Sequence, residues 1–220
     1  MALSKVDFNN INVTPAASKA LKWNSSANGF ETGDLGGSMV LIKTTTISSS
    51  TGDVSFIHGA SDVVFDSTYK EYIFFFNNLH LSNDGAQPGI NFSIDSGSNY
   101  NVAKTSSNFS AAHNEADSST LLGYNGSWDL AQGTGLQYLT AGTGNANDES
   151  ASGYLHLFDP SNTTFVKHFI AQFNSYVNDS SIQHLFIGGY ANTTSAIDAV
   201  QFGVSAGTID SGTITMYGVL

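Results

Sequence analysis

Residues 71–81 have the sequence EYIFFFNNLHL, which is the strongest β-strand pattern in the chain. Successive side chains of a strand point to opposite faces, so this segment would be apolar on both faces. One face would hold Tyr72, Phe74 and Phe76, and the other Ile73, Phe75 and Leu79. A strand that is apolar on both faces is normally covered on both. We therefore expect a partner sheet on one face and, on the other, the N-terminal residues or a neighbouring subunit.

Shorter strand patterns fill much of the chain from residue 37 onward, and Gly, Asn, Asp or Pro separates most of them. They are MVLIKTTTI (39–47), VSFIHG (54–59), GINFSID (89–95), GLQYLTA (135–141), SGYLHLFD (152–159), SIQHLFIGGY (181–190), AIDAVQFGVS (196–205) and GTITMYGV (212–219). The first two of these are predicted to form a hairpin, and so are the last two. About ten strands without a repeat period predict an all-β fold, a β-sandwich of jelly-roll type over residues 37–220.

Three further segments of the sandwich are less regular. TFVKHFIAQFNSYV (164–177) places Phe165, Phe169 and Phe173 four residues apart, which fits a strand or a helix. We favour a strand because the neighbouring segments are strands. The polar stretches 96–117 and 142–153 are predicted to be exposed loops.

Residues 1–36 show no period that lasts for a full helix or strand, and they are predicted to form an extended N-terminal arm. Leu21 and Trp23 are the apolar anchors of this polar segment. A terminal segment of this kind frays unless something holds it. We therefore expect the arm to dock on a neighbouring protein.

The composition excludes several partners and chemistries. The chain has 18 acidic and 7 basic residues, a formal net charge of −11, and this charge repels phosphate backbones and anionic membranes. No run is long enough for a transmembrane helix, and MALSKVDFNNINV (1–13) lacks the apolar block of a signal peptide. The absence of cysteine excludes disulfides, thiolate metal sites and a cysteine nucleophile. We expect neither a nucleic-acid nor a membrane partner.

Motifs that could carry catalysis lack the structural context that they need. GVSAG (203–207) has a Gly-x-Ser-x-Gly pattern, but a strand rather than a helix is predicted after Ser205. HNEAD (113–117) lies in a predicted loop without a second ligand cluster. The GTG segments at 133–135 and 142–144 lack the third glycine of a dinucleotide site. We therefore predict no enzyme activity and no catalytic, metal or cofactor site.

Two alternatives stay open at this point. Carboxylates that folding brings together could hydrolyse a glycoside, and Asp/Asn-rich loops such as NANDES (145–150) could bind calcium without EF-hand spacing. Five histidines fall in predicted strands and are expected to be hydrogen-bonded core or interface residues. These are His58, His80, His156, His168 and His184.

Three stretches of the chain carry a resemblance: MALSKVDFNN (1–10), DSTYKEYIFFFNNLHLSNDG (66–85) and the C-terminal segment 188–220. Together they resemble small structural proteins of marine tailed bacteriophages, in which a Tyr-x-x-Tyr strand, an aromatic-rich sheet and a closing SGTI-x-MYG segment recur in jelly-roll-like domains. The resemblance implies a virion protein, assembled in the cytoplasm of a bacterial host, and it implies no active site.

Within a virion, a capsid decoration or cement protein fits the sequence better than a fibre, because no elongated shaft pattern is present. The expected partner is the major capsid protein or another virion protein, together with further copies of this chain in a dimer or trimer. Leu21 and Trp23 are the expected anchors, with Tyr72, Phe74 and Phe76 in the core or at an interface. The alternative is a tail fibre or receptor-binding module, in which Tyr124 and Trp128 would stack on host glycans.

Overall fold

The computed structural model describes residues 19–33 and 38–220, which form strands and loops and no helix. No segment of these described ranges is a helix that could cross a membrane. The chain divides into two units, Met1–Ser38 and Met39–Leu220. The predicted all-β fold is confirmed.

The first unit contains an antiparallel hairpin of two four-residue strands, β1 (Ala20–Trp23) and β2 (Phe30–Gly33). The sequence analysis predicted no regular element here, and the hairpin corrects it. A strand of four residues has only two side chains on each face, which is too few for an alternating pattern to stand out in the sequence. The apolar face becomes visible only when the two strands are aligned. The rest of the predicted arm, 1–18 and 34–36, lies outside the described residues.

The second unit is a β-sandwich of two antiparallel sheets, one large and one small. In pairing order, the large sheet consists of β3 (Met39–Ile47), β14 (Ile209–Val219), β5 (Glu71–Leu81), β10 (Ala151–Phe158), β11 (Lys167–Val177), β12 (Ser181–Ala191), β7 (Lys104–Asn114) and β8 (Thr120–Tyr124). The small sheet consists of β4 (Asp53–Ile57), β13 (Ala199–Val204), β6 (Pro88–Ser93) and β9 (Gln137–Tyr138).

The core lies between the sheets and is rich in phenylalanine. Phe56 of β4 packs edge-on against Phe74 of β5 with ring centroids 5.3 Å apart, and Phe92 of β6 contacts Phe169 of β11 at 5.7 Å. Such tilted and edge-to-face pairs are the geometries that aromatic rings prefer. Tyr72, Phe74 and Phe76 are all buried in this core. Of the two roles expected for them, core or interface, the structure shows the core.

A bulge in β5 changes the predicted faces of this strand. Two residues of β5 lie between Phe76 and Leu79, whereas only one residue of β10 lies between their partners Gly153 and Ala151. Asn78 takes a positive φ of 51° at this place. The extra residue turns Leu79 to the core, where it is 1% exposed, so its predicted position opposite Phe76 is wrong.

Ile73 and Phe75 do lie on the other face of β5, as the alternation predicted. In the register of the sheet, Ile73 is opposite Tyr217 of β14 and His156 of β10. Neighbouring side chains of the same sheet therefore cover Ile73, which is 6% exposed, whereas Phe75 is half-buried. The apolar residues on this face do not require a second sheet to shield them.

Neither predicted hairpin of the sandwich exists. β3 and β14 belong to the large sheet, whereas β4 and β13 belong to the small one, so the chain crosses from sheet to sheet in both places. β14 pairs with β3 and β5 instead and is internal to the large sheet. The expectation that the C-terminal segment is a core element is confirmed by Ile214 and Met216, which are fully buried.

The irregular segments divide into one confirmed prediction and one correction. Residues 167–177 form a strand, as favoured, but Phe165 precedes it and is exposed rather than aligned with Phe169. The stretch 96–117 is not a loop, because it contains the eleven-residue strand β7. Its inward residues include Asn108 and Ser110 rather than apolar side chains, so the alternation that marks a strand is missing from the sequence.

Two lysines are buried at the start of β7 and β11, and both lie next to Ala191 of the intervening strand β12. The Lys104 ammonium donates to Asn91 Oδ1 at 2.7 Å and to the Val102 carbonyl at 3.1 Å. Lys167 donates to the carbonyls of Phe165 and Thr193. Burial lowers the pKa of Lys104 to about 8 and also lowers the pKa of Lys167. The cause is desolvation: the buried ammonium loses its water shell, and hydrogen bonds to neutral oxygens only partly replace that hydration.

The buried amine of Lys104 makes stability rise with pH in alkaline solution. Because its pKa is about 8 in the fold and 10.5 as a free side chain, the unfolded chain binds the extra proton between these values. The free energy of unfolding should therefore increase by up to about 3 kcal/mol across this window. Above pH 10 the trend should reverse, because burial raises the pKa of Tyr72 to about 12 and only the unfolded tyrosine ionises.

Urea denaturation at pH 7, 8, 9 and 10 measures this effect. In Lys104→Met the increase attributable to this amine should vanish, while the weaker increase from Lys167 remains. Equal pH profiles for the two proteins would contradict the assignment.

Candidate functional site

The most distinctive surface of the sandwich is the side of the large sheet that is turned away from the small sheet, here called the outer face. Strands such as YLHLF (154–158) place leucines in the core and aromatic rings on this face. Its aromatic and histidine side chains are Phe75, Phe109, Tyr124, Tyr154, His156, Phe158, His168, His184, Phe186, Tyr190 and Tyr217. A sheet face exposed to water normally carries polar residues, so an aromatic face indicates a binding surface.

The rings of the outer face form two groups that β11 separates. Around β5, Phe75 contacts Tyr217 and Tyr154 with centroids 5.8 and 6.5 Å apart. Around β12, Phe186 stacks on Phe109 at 4.7 Å with nearly parallel planes, and on His184 at 4.2 Å. Each group is a cluster of partly exposed rings in mutual contact.

A groove crosses the sheet at Gly188, and we call it the Gly188 groove. Its volume is about 310 Å³, and its outer-face lining residues are Ser107, Phe109, Ile170, Gln172, Phe186 and Gly188. A Cβ atom at Gly188 would have no atom within 4 Å, so the groove exists because this position lacks a side chain. Glycine inside a strand often marks a place where a ligand or another backbone approaches closely.

A second cavity, here called the end cleft, opens where β10 ends and β11 begins. It has a volume of about 540 Å³ and is lined by Phe158, Asp159, Asn162, Thr164, Phe165, Val166, His168 and Thr194. Volumes of this order are usual for sites that bind small molecules. Phe165 is 69% exposed at the cleft.

Asn162 organises the loop that shapes the end cleft. Its side-chain oxygen accepts the backbone N–H groups of Thr164 and Phe165 at 2.7 and 2.8 Å, and its amide donates to Asp159 Oδ2 at 3.0 Å. The other oxygen of Asp159 accepts a hydrogen bond from Lys70 at 3.3 Å. The loop therefore presents Phe165 beside a carboxylate and an amide that are already held in place.

The end cleft and the Gly188 groove adjoin one another. His168 lines the cleft and Ile170 lines the groove, and these residues are two positions apart on the same face of β11. Two residues of an extended strand span roughly 7 Å. The two cavities therefore lie next to each other along the outer face, and we refer to the pair as the path.

The carboxylates nearest this path are paired. Glu71 contacts the imidazole of His156 on the outer face, and Asp159 is paired with Lys70. Apart from Asp159, the residues that line the two cavities carry no carboxylate or ammonium group. The path is therefore polar in places but close to neutral in charge.

The hairpin of the first unit has two chemically different faces. Trp23 and Phe30 are paired across the strands, and their rings stack with centroids 4.5 Å apart. Trp23 is nevertheless 61% exposed and Phe30 is 42% exposed. Leu21 lies on the same face and is 39% exposed. On the opposite face Lys22 and Glu31 form an ion pair at 3.4 Å.

The residues predicted to contact glycans lie in different surroundings. Tyr124 is on the outer face, 62% exposed and opposite Phe109, and its hydroxyl bonds to Asp129, which raises the tyrosine pKa. Trp128 is only half exposed and packs against the core, so most of its ring is not available for stacking. None of the five histidines that were predicted to lie in strands is buried, so of the two places expected for them, core or interface, the core is wrong. His58 lies in the turn after β4 rather than in a strand.

The catalytic motifs weighed in the sequence do not form recognisable sites. Ser205 lies in the connection between β13 and β14, and its hydroxyl accepts the backbone N–H of Gln87 at 3.0 Å. His113 lies near the end of β7, and its Nε2 atom is 3.0 Å from Asp117 Oδ1 across the following turn. Over the described ranges 19–33 and 38–220, no three His, Cys, Asp or Glu residues cluster as metal ligands would.

The sequence analysis missed both the end cleft and the Gly188 groove. The available signal was a strand with apolar residues on both faces, as in YLHLF, and the glycine pair within SIQHLFIGGY. Which residues line one cavity depends on the order of strands, and the sequence pattern does not give that order. Comparisons with protein-family models, with curated proteins and with solved structures give no match to this chain.

Proposed function

We propose that the protein is a non-enzymatic structural protein of a bacteriophage virion, a decoration or cement protein that docks through its N-terminal residues. The observation that carries this proposal is the apolar face of the hairpin, formed by Leu21, Trp23 and Phe30. A two-stranded hairpin is marginally stable by itself in water. Burying its exposed rings against another protein would stabilise both the hairpin and the complex.

The virion context comes from the sequence resemblance. In this proposal the sandwich is of jelly-roll type, residues 1–36 act as the docking arm, and assembly takes place in the cytoplasm of a bacterial host. The partner is the major capsid protein or another virion protein. Self-association into a dimer or trimer is part of the proposal, with contacts other than Tyr72, Phe74 and Phe76, which the core already buries.

Trp23→Ala is expected to abolish incorporation of the protein into particles while leaving the sandwich folded. The substitution removes the largest exposed ring of the hairpin and its stacking on Phe30. Quantitative mass spectrometry of purified virions measures the copy number relative to the major capsid protein.

Leu122→Ala is the matched control, because Leu122 is 78% exposed on the sandwich and lies outside the hairpin. Its copy number should equal that of the wild type, at a simple fraction of the shell subunits. Normal incorporation of Trp23→Ala would refute docking through the hairpin, and absence of the wild-type protein from virions would refute the virion role.

A second candidate is a tail fibre or receptor-binding module that contacts host surface glycans. The specific observation in its favour is the exposed ring of Tyr124 beside Phe109 on the outer face. The same mass spectrometry separates the two candidates, because a tail protein would be present in a handful of copies per particle.

A further inference from the structure

We propose that the end cleft and the Gly188 groove together form a binding track for a neutral oligosaccharide, which lies along the outer face of β11. The proposal goes beyond docking on a shell and concerns the sandwich unit alone. It gives the second candidate function a defined site, in a place where the sequence analysis predicted none.

Aromatic rings at both ends of the track suit the apolar faces of sugar rings. A pyranose presents C–H groups on one face, and these pack favourably on the electron-rich face of an aromatic ring. In the end cleft, Phe165 and Phe158 offer such an aromatic face. In the Gly188 groove it is offered by Phe109, whose ring is held in place by stacking on Phe186 and is 47% exposed as a residue.

Polar groups beside these rings could bind sugar hydroxyl groups. The amide of Asn162 donates one hydrogen to Asp159 and keeps a second one, while the carboxylate of Asp159 keeps unused lone pairs. In the groove, the side chains of Gln172 and Ser107 have no hydrogen-bond partner among the described residues. Aromatic surface with a few convergent polar groups is the usual make-up of a site that fixes the orientation of a ligand.

The charge of the track favours a neutral ligand over an anionic one. Asp159 is paired with the Lys70 ammonium, Glu71 contacts the imidazole of His156, and the chain as a whole carries a net charge of −11. An anionic polysaccharide would be repelled by this field, whereas a neutral one would not. A cationic ligand would find no unpaired carboxylate among the residues that line the two cavities.

The open space at Gly188 keeps the groove part of the track accessible. Any larger side chain at this position would stand in the groove between Ile170 and Phe186. The spacing of His168 and Ile170 along β11 places the cleft and the groove next to each other, so that a ligand of a few sugar units would occupy both.

The experiment uses the full chain on an array of neutral gluco-, manno- and galacto-oligosaccharides, with oligouronates as anionic counterparts. Isothermal titration calorimetry then gives the affinity for the neutral hexasaccharide that binds best. We expect neutral sugars to bind and oligouronates not to bind. Phe165→Ala should weaken binding about tenfold, because it removes an exposed stacking surface. Gly188→Leu should weaken binding at least as much by filling the groove.

Leu122→Ala is the control for both variants and should bind as the wild type does. Thermal unfolding of each variant establishes that the sandwich is intact. Absence of binding to every neutral oligosaccharide, binding of oligouronates only, or unchanged affinity in both variants would overturn the proposal. Particle incorporation is measured separately with Trp23→Ala, so failure of this proposal and failure of the docking proposal are distinguishable.

Discussion

Phe202→Ala is expected to lower the free energy of unfolding by about 3–5 kcal/mol. The ring of Phe202 lies 5.1 Å from that of Phe74, 4.8 Å from that of Phe76 and 6.0 Å from that of Phe56. These neighbours come from both sheets, so removing the central ring leaves a cavity that neither sheet can close by itself. Urea denaturation, with fluorescence or circular dichroism as the signal, measures the loss.

Phe165→Ala is the matched substitution for this test. It also replaces a phenylalanine by alanine, but at a position that is 69% exposed, and it should change the free energy of unfolding by no more than about 0.5 kcal/mol. Comparable losses in the two variants would show that the core is not centred on Phe202.

Gly189→Val is expected to destabilise the sandwich by about 3 kcal/mol or more. A Cβ atom at Gly189 would lie 2.6 Å from Cζ of Phe169 and 2.8 Å from the carbonyl oxygen of Thr105. The carbonyl belongs to the neighbouring strand β7 and cannot move without breaking the pairing of the sheet. Thermal unfolding of the variant should show a lower midpoint or no cooperative transition.

Gly188→Val is the control for Gly189→Val, because the two glycines are adjacent and face opposite sides of β12. At Gly188 an added side chain meets no atom within 4 Å, and valine suits a strand. Stability should stay equal or increase slightly. Equal destabilisation of both variants would contradict the assignment of the two faces.

The sequence predicts most strands of this fold but not how they are joined. The spacing of residues 164–177 fits a strand or a helix, and the neighbouring strands decide correctly for β11, in which Phe169, Ala171 and Phe173 face the core. β7 was predicted to be a loop because its inward positions carry Lys104, Asn108 and Ser110, so hydropathy gives no signal there. The choice between a hairpin and a crossing from sheet to sheet depends on contacts across the core, which are distant in sequence.

The candidate sites show the same limit. Leu21 and Trp23 stand out from the sequence because they are apolar residues in a polar segment, and the structure places both on one face of the hairpin. The end cleft could not be predicted, since it combines Phe158 and His168 of two strands with Thr194 of a distant loop. Trp128 looked like a surface ring because its segment is polar, but its ring packs against the core.

The position of β14 has a consequence for how the chain folds during synthesis. This last strand lies between β3 and β5, two of the earliest strands of the sandwich, and pairs with both. A nascent chain that has not yet emerged to Ile209 therefore lacks the strand that joins them, and the large sheet stays incomplete. Folding dominated by such distant pairings is slow, and unfinished sheet edges are prone to aggregate. We infer that the large sheet is completed only after β14 has emerged from the ribosome.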